Sequence, residues 1–231
     1  MPSATDFDYT IIRSPRRRSV SIAVDSGAVT VRAPKRLSER RIKAFVESKS
    51  RWIILKLSES RQREMEAPRH RYAEGEAFRF QGSEFFLAII HAPGRFSVSI
   101  KGDRMIMKIP ENTPAEKMPE MLRKWYVSTA RAVFKERISF YSVAMGVEPA
   151  GISVRSQKRR WGSCSSGGNI SLNWKLVTAP PEILDYVVAH ELCHLMHRNH
   201  GPQFWALLTK HMPECRERRK WLRENGHTLG L

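Results

Sequence analysis

The chain has 231 residues, 41% of them hydrophobic and 9% aromatic, enough apolar side chain to bury one sizeable core or two modest ones, so a folded globular protein is expected rather than a disordered one. Forty Lys and Arg against 23 Asp and Glu leave a net charge of +17 and a pI near 10.4, a balance that attracts polyanions and acidic proteins but does not bear on fold. Cys164, Cys193 and Cys215 are the only cysteines, too few and wrongly spaced for a disulfide framework or a cysteine zinc site. The start, MPSATDFDYTIIRSPRRR, lacks the apolar run of a signal peptide, and no window approaches the ~18 to 20 apolar residues that span a bilayer. A soluble, cytoplasmic protein with no membrane partner is therefore expected.

Residues 19–33 alternate as S-V-S-I-A-V and A-V-T-V-R-A around D-S-G, the period-2 pattern of a hairpin, closed by Pro34. Ser38 is placed to cap a helix in which Ile42, Phe45, Val46, Trp52, Ile53 and Leu57 recur at helical spacing to about residue 63. After a polar stretch come A-F-R-F, E-F-F-L-A-I-I-H, F-S-V-S-I and M-I-M-K-I, separated by Q-G-S, A-P-G-R and K-G-D-R, which predict an antiparallel meander. Thr113-Pro114-Ala115-Glu116 reads as a capping box, with proline first in the helix. The long helix that follows carries Leu122, Trp125, Tyr126, Val133, Phe134, Ile138 and Tyr141 and is ended by Gly146.

Next, I-S-V-R-S-Q and N-I-S-L-N-W read as strands flanking W-G-S-C-S-S-G-G. Helices follow over about residues 180–196, then from Gly201-Pro202 with Phe204, Trp205, Leu207 and Leu208 on the apolar side, and last after Pro213 with a strongly basic face. The expected fold class is α+β. Residues 1–112 form an antiparallel β-rich region with one helix, and residues 113–231 a helical part with a small antiparallel sheet.

Residues 190–205 read H-E-L-C-H-L-M-H-R-N-H-G-P-Q-F-W, with four of the chain's eight histidines. At 100° per residue His190 and His194 point the same way, one turn apart, and can grip one ion. Glu191 sits little more than a quarter turn from His190, able to reach a water there without being a ligand, the division of labour in H-E-x-x-H. Ile183, Leu184, Val187, Val188 and Ala189 make the preceding helix apolar, and a buried His-Glu-His set without an ion would be costly to desolvate.

His200 is the preferred third ligand, because N-H-G-P reads as a turn into a new helix that can fold the ring back while a fourth position stays open. His197, at i+3 from His194, is the rival if the helix runs on, although three turns of one straight helix point side chains in parallel and do not surround an ion. Imidazole donors with an open tetrahedral position favour zinc, although cobalt or iron can bind the same set. The strand at residues 169–174 is placed to hold an extended peptide along the cleft. Tyr186, one turn before His190, is a candidate for stabilising an oxyanion, but a core role suits it better. Cys193 reads as a small hydrophobe, and Cys164 is left unassigned, with packing favoured.

H-E-L-C-H-x5-H-G-x-x-F-W, preceded by R-R-W-G-S-C-S and N-I-S-L-N-W-K-L, resembles the YgjP-like metallopeptidase family, which is similar to SprT-like and other gluzincin- or metzincin-related domains. The specific motifs cover about residues 155–210. The resemblance implies a zincin-like second half that cleaves a protein or peptide, zinc on His190, His194 and His200, and Glu191 as general base. The ligand spacing is also that of metzincins, but their glycine three residues after the second histidine is His197 here, and Met212 is a poor candidate for their Met-turn. The competing class is a nucleic-acid-binding protein with a purely structural metal. It rests on Arg13, Arg16, Arg17, Arg18, Lys35, Arg36, Arg40, Arg41 and Lys43, with Lys158, Arg159 and Arg160 near the cleft, although a charge run is usually a solvated face. The SprT-like relatives, which act on DNA-attached proteins, would combine the two by analogy.

Overall fold

The structure, a computed structural model, describes residues 7–157 and 160–231. Chain contacts divide it into two compact units, Met1–Ala67 and Pro68–Leu231. The boundary expected between residues 112 and 113 falls within the second unit.

In the first unit β1 (Tyr9–Ser14), β2 (Ser21–Asp25) and β3 (Ala28–Pro34) form a sheet of order β1-β3-β2. The β2–β3 hairpin is the expected one, turning through Ser26 and Gly27 at φ of 48° and 74°, as a twist-matched two-residue turn requires. β1 was not read from the sequence and pairs parallel to β3. The single expected helix is two, α1 (Glu39–Ser48) and α2 (Ser50–Glu66), parted at Lys49, where φ −109° and ψ 7° leave the helical region. Ser38 occupies the N-cap position, but its side chain makes no capping bond. Val29, Val31, Ala33, Ile42, Val46, Ile53 and Leu57 form this unit's own core.

In the second unit β4 (Ala77–Phe80), β5 (Ser83–His91), β6 (Ser97–Lys101) and β7 (Arg104–Ile109) are the four predicted strands. Their order is β4-β5-β7-β6 with β5 parallel to β7, so the sheet is mixed and the antiparallel meander is corrected. Burial gives the reason. β5 brings Leu87 and β7 brings Met105, Met107 and Ile109 into the core, so these apolar strands lie side by side, and β6, with alternate residues exposed, takes an edge.

α3 (Met118–Met145) is preceded by a 3-10 turn at Ala115–Lys117; Pro114 stays extended and no side chain caps either element, so the capping box does not form. Leu122, Tyr126, Ala130, Phe134, Ile138, Tyr141 and Met145 recur every three or four residues as one buried stripe. Gly146 ends the helix at φ 66°, and its N–H and that of Val147 bond the Val143 and Ser142 carbonyls.

β8 (Gly151–Arg155), β9 (Gly162–Cys164) and β10 (Asn169–Asn173) form a third sheet of order β8-β10-β9, with β8 parallel and β9 antiparallel to β10. It too is mixed where an antiparallel sheet was expected, and β9 lies inside the stretch read as a connection. α4 (Pro181–Met196), α5 (Pro202–His211) and α6 (Cys215–Asn225) follow as expected, and the fold class is α+β.

α4 is buried along most of its length. It is tied to α3 at one polar point, where the Asp185 carboxylate accepts from Arg137 Nε and a terminal guanidinium nitrogen at 2.7 and 2.6 Å and from the Tyr141 hydroxyl at 3.2 Å. Among the described residues no helix is long and apolar enough to cross a membrane.

Candidate metal centre

α4 carries His190 and His194 one turn apart, with ring centroids 5.0 Å from each other. The helix stops at Met196, and His197 is extended, with φ −129° and ψ 101°. That break removes the rival ligand from the shared face. The His197 carbonyl instead accepts a hydrogen bond from His194 Nδ1 at 3.1 Å, which leaves Nε2 of a neutral His194 as the lone-pair nitrogen.

The chain then reverses, with the Gly201 N–H bonding the Asn199 carbonyl at 2.8 Å, and His200 folds back. Its backbone carbonyl accepts from the Trp205 indole N–H at 3.0 Å. His200 Nε2 comes 3.1 Å from His190 Nε2, and one nitrogen from each of His190, His194 and His200 lies within 4.8 Å of the others.

The residues fit a divalent ion. Two nitrogens each ~2.0 to 2.1 Å from one zinc at a tetrahedral angle would stand about 3.3 Å apart, close to the His190–His200 spacing. His190 Nδ1 is buried without a hydrogen-bond partner among the described residues, so the ring's only contact with a polar group is on the side facing the cluster. Phe204, fully buried, packs 4.7 to 5.0 Å from all three imidazoles and walls off one side of the centre. Burial, followed by the neighbouring His194 and His200, pushes His190 down to about 3. Burial and His194 also lower His200. Both rings are therefore neutral near pH 7, the form a metal ligand needs.

Glu191 is 6% exposed. Burial pushes its carboxyl up to about 7, against the opposing pull of Arg160 and of the Cys164 backbone N–H. Its side chain lies on bare backbone, because a Cβ at Gly162 would meet Glu191 Cγ and Oε1 at 2.6 Å. β9 therefore serves as the floor under the carboxylate. The loop entering β9 is held by the Asn173 side-chain amide, which donates to the Gln157 and Arg160 carbonyls at 2.7 and 3.2 Å.

A pocket of about 390 Å³ opens here, lined by the three histidines and Glu191, by β9, and by Arg160 and Arg198. The expectation that residues 169–174 hold a peptide along the cleft is overturned: β10 is the central strand, paired on both sides, and has no free edge to offer. β9 is the edge strand beside the pocket. Gly162 and β9 were missed by sequence reasoning, although an isolated glycine in a strand does mark a close approach of something else.

Tyr186, 5% exposed, packs its ring 5.8 Å from His190 and is pushed by burial up to about 12, as befits a core tyrosine. Cys193 is buried and Cys164 half-buried, the latter in the pocket wall. Lys158 and Arg159 lie outside the described residues. Of the cations near the N-terminus, Arg13 donates to the Lys35 and Leu37 carbonyls and Arg17 to Ser19 and Ser21, so these two brace their own unit.

A profile for the family described as "YgjP-like, metallopeptidase domain" matches residues 18–225. Among curated proteins no sequence matches. Two solved structures are similar over part of the chain. The metallopeptidase zymogen jannalysin of Methanocaldococcus jannaschii is 24% identical, with 39% of this chain and 94% of that one covered and a TM-score of 0.37. The zymogen abylysin of Pyrococcus abyssi is 20% identical, with 42% and 99% covered and a TM-score of 0.37.

Proposed function

The chain belongs to the YgjP-like metallopeptidase family, and from that premise we propose that it is a zinc-dependent peptidase in which His190, His194 and His200 hold the ion and Glu191 is the general base. The observation that carries this reading is the convergence of three imidazoles from α4 and the following turn, with one buried carboxylate beside them. Nitrogen donors of this kind favour zinc over harder cations.

When bound, zinc supplies the positive charge that lowers the pKa of water and polarises a carbonyl. The chain's own residues do the rest. Glu191, with its carboxyl near 7, can accept a proton from water and return it to a leaving amine at neutral pH. The Cys164 N–H and the Gly162 backbone hold that carboxylate in one place. In an antiparallel pair the groups not bonded to the neighbour alternate along the strand. Ser165 and Trp161 bond β10, so Gly162 turns its backbone groups outward, where an extended peptide could add to the edge.

Glu191→Gln tests the assignment. The variant is expected to keep one metal ion per chain and a cooperative melting transition no lower than that of the wild type while losing hydrolysis in a proteome-wide cleavage assay. Retained hydrolysis would remove Glu191 from the reaction.

A further inference from the structure

α5 and α6 enclose an open groove of about 680 Å³, lined by Trp205, Thr209, Arg216, Arg219, Lys220 and Arg223. The four cations fall at i, i+3, i+4 and i+7, so they form one stripe that runs about 10 Å along α6. Among the described residues, Arg223 meets Glu224 at 3.5 Å, while no carboxylate pairs with Arg216, Arg219 or Lys220. Arg219 stacks over the Trp205 ring, 5.4 Å from its centroid. Like charges at this spacing repel along the helix that carries them, and carboxylates from outside would relieve that repulsion.

The groove reaches the metal centre through Trp205, whose ring lies 5.9 Å from that of His200. With Trp205 5.9 Å from His200 on one side and 5.4 Å from the Arg219 guanidinium on the other, an extended chain rising about 3.3 Å per residue needs at most about four residues to pass from His200 to Arg219. At the centre itself Arg160 and Arg198 line the pocket, and Arg155 lines an adjoining cavity of about 620 Å³ that shares Arg160 and β9 with it. Among the residues lining these three cavities, Glu191 is the sole carboxylate.

We propose that the α5–α6 groove is an exosite for an acidic segment of the polypeptide substrate, rich in Asp and Glu and within about four residues of the bond that is cut. The proposal rests on the peptidase reading above. Guanidinium forks match carboxylates in shape as well as in charge. Single-stranded nucleic acid is drawn by the same charge but binds largely by stacking its bases on open aromatic faces. The one aromatic ring in this groove, Trp205, has Arg219 over it and its N–H bonded to His200.

The test uses fluorescein-labelled peptides that share a neutral centre and carry a flanking run of glutamates, of serines or of lysines. Anisotropy is read with the metal-free protein, and kcat/KM with the zinc-loaded one. The glutamate peptide is expected to bind at least about tenfold more tightly than the serine peptide, the combined effect of several exposed ion pairs, with the advantage shrinking in high salt. Arg216→Glu with Lys220→Glu is expected to remove that preference in both binding and kcat/KM. Lys101→Glu with Lys108→Glu, an equal change of net charge on exposed positions of β6 and β7, is expected to keep it. Equal binding of the glutamate and serine peptides, or tighter binding of a single-stranded DNA oligonucleotide than of the glutamate peptide, would overturn the exosite and leave the peptidase reading in place. A preference in binding with no hydrolysis of any peptide would sink the peptidase reading and support the groove as an acidic-peptide site.

Discussion

Replacing Gly162 with alanine asks whether the bare backbone of β9 sets the position of Glu191. The added Cβ would meet Glu191 Cγ and Oε1 at 2.6 Å and Cδ at 2.9 Å. Ordinary carbon contacts lie at about 3.5 to 4.0 Å, so one side of the contact must give by about 1 Å. β9 is held on both flanks, by the Ser165 N–H to the Asn169 carbonyl at 2.9 Å and by the Asn173 N–H to the Trp161 carbonyl at 2.8 Å. The carboxylate, tethered by one side chain, is the part that moves. Gly162 is not in the left-handed region, so alanine adds no backbone strain of its own. A misplacement of about 1 Å costs roughly a hundredfold in rate, or about 3 kcal/mol of activation free energy. The expected result is a kcat/KM about a hundredfold lower with metal content and melting temperature unchanged, read by steady-state kinetics on a fluorogenic peptide together with elemental analysis. Wild-type kcat/KM in a fully metallated Gly162→Ala protein would show that Glu191 keeps its place without the glycine, and the reasoning would fail.

His200→Ala should strip the metal while His197→Ala keeps it, since the His197 side chain leaves the cluster; equal metal content in the two variants would contradict the ligand set. Zinc at about a thousand times its Kd should stabilise the protein by about 4 kcal/mol, and His194→Ala should abolish the calorimetric shift. Glu191, raised from 4.5 to about 7, binds a proton more tightly folded than unfolded, so its contribution to metal-free stability is lost as pH rises from 4.5 through 7. Metal-free Glu191→Gln should therefore gain about 3 kcal/mol over wild type on going from below pH 4.5 to above pH 7, and a pH-independent difference in urea titrations would refute the desolvated carboxyl. Asp185→Ala leaves Arg137 without its partner; because that side chain is 29% exposed, the expected loss is about 2 kcal/mol, below that of a fully buried pair, and an unchanged urea midpoint would deny Asp185 its part in seating α4.

Much of this protein follows from local spacing. His190 and His194 share a face because four residues make about one turn. The reversal that returns His200 is written in N-H-G-P, since glycine and proline punctuate a chain whatever surrounds it. Helices α3 to α6 and strands β2 to β8 and β10 show in periodicity for the same reason. β9, with three residues, is too short to carry a period, and β1 was not legible in the alternation that follows it.

What only the tertiary structure decided is everything that depends on which strand lies beside which. The parallel pairings of β5 with β7 and of β8 with β10 join segments separated by intervening chain, and they are chosen by which faces the core can bury. The placement of β9 beneath Glu191 is of that kind. So is the gathering of Trp205 from α5 and the cations of α6 around one groove. The i, i+4 geometry of His190 and His194 is a property of a single helix, whereas the Glu191 carboxylate lies against a glycine from another element, brought there by the sheet.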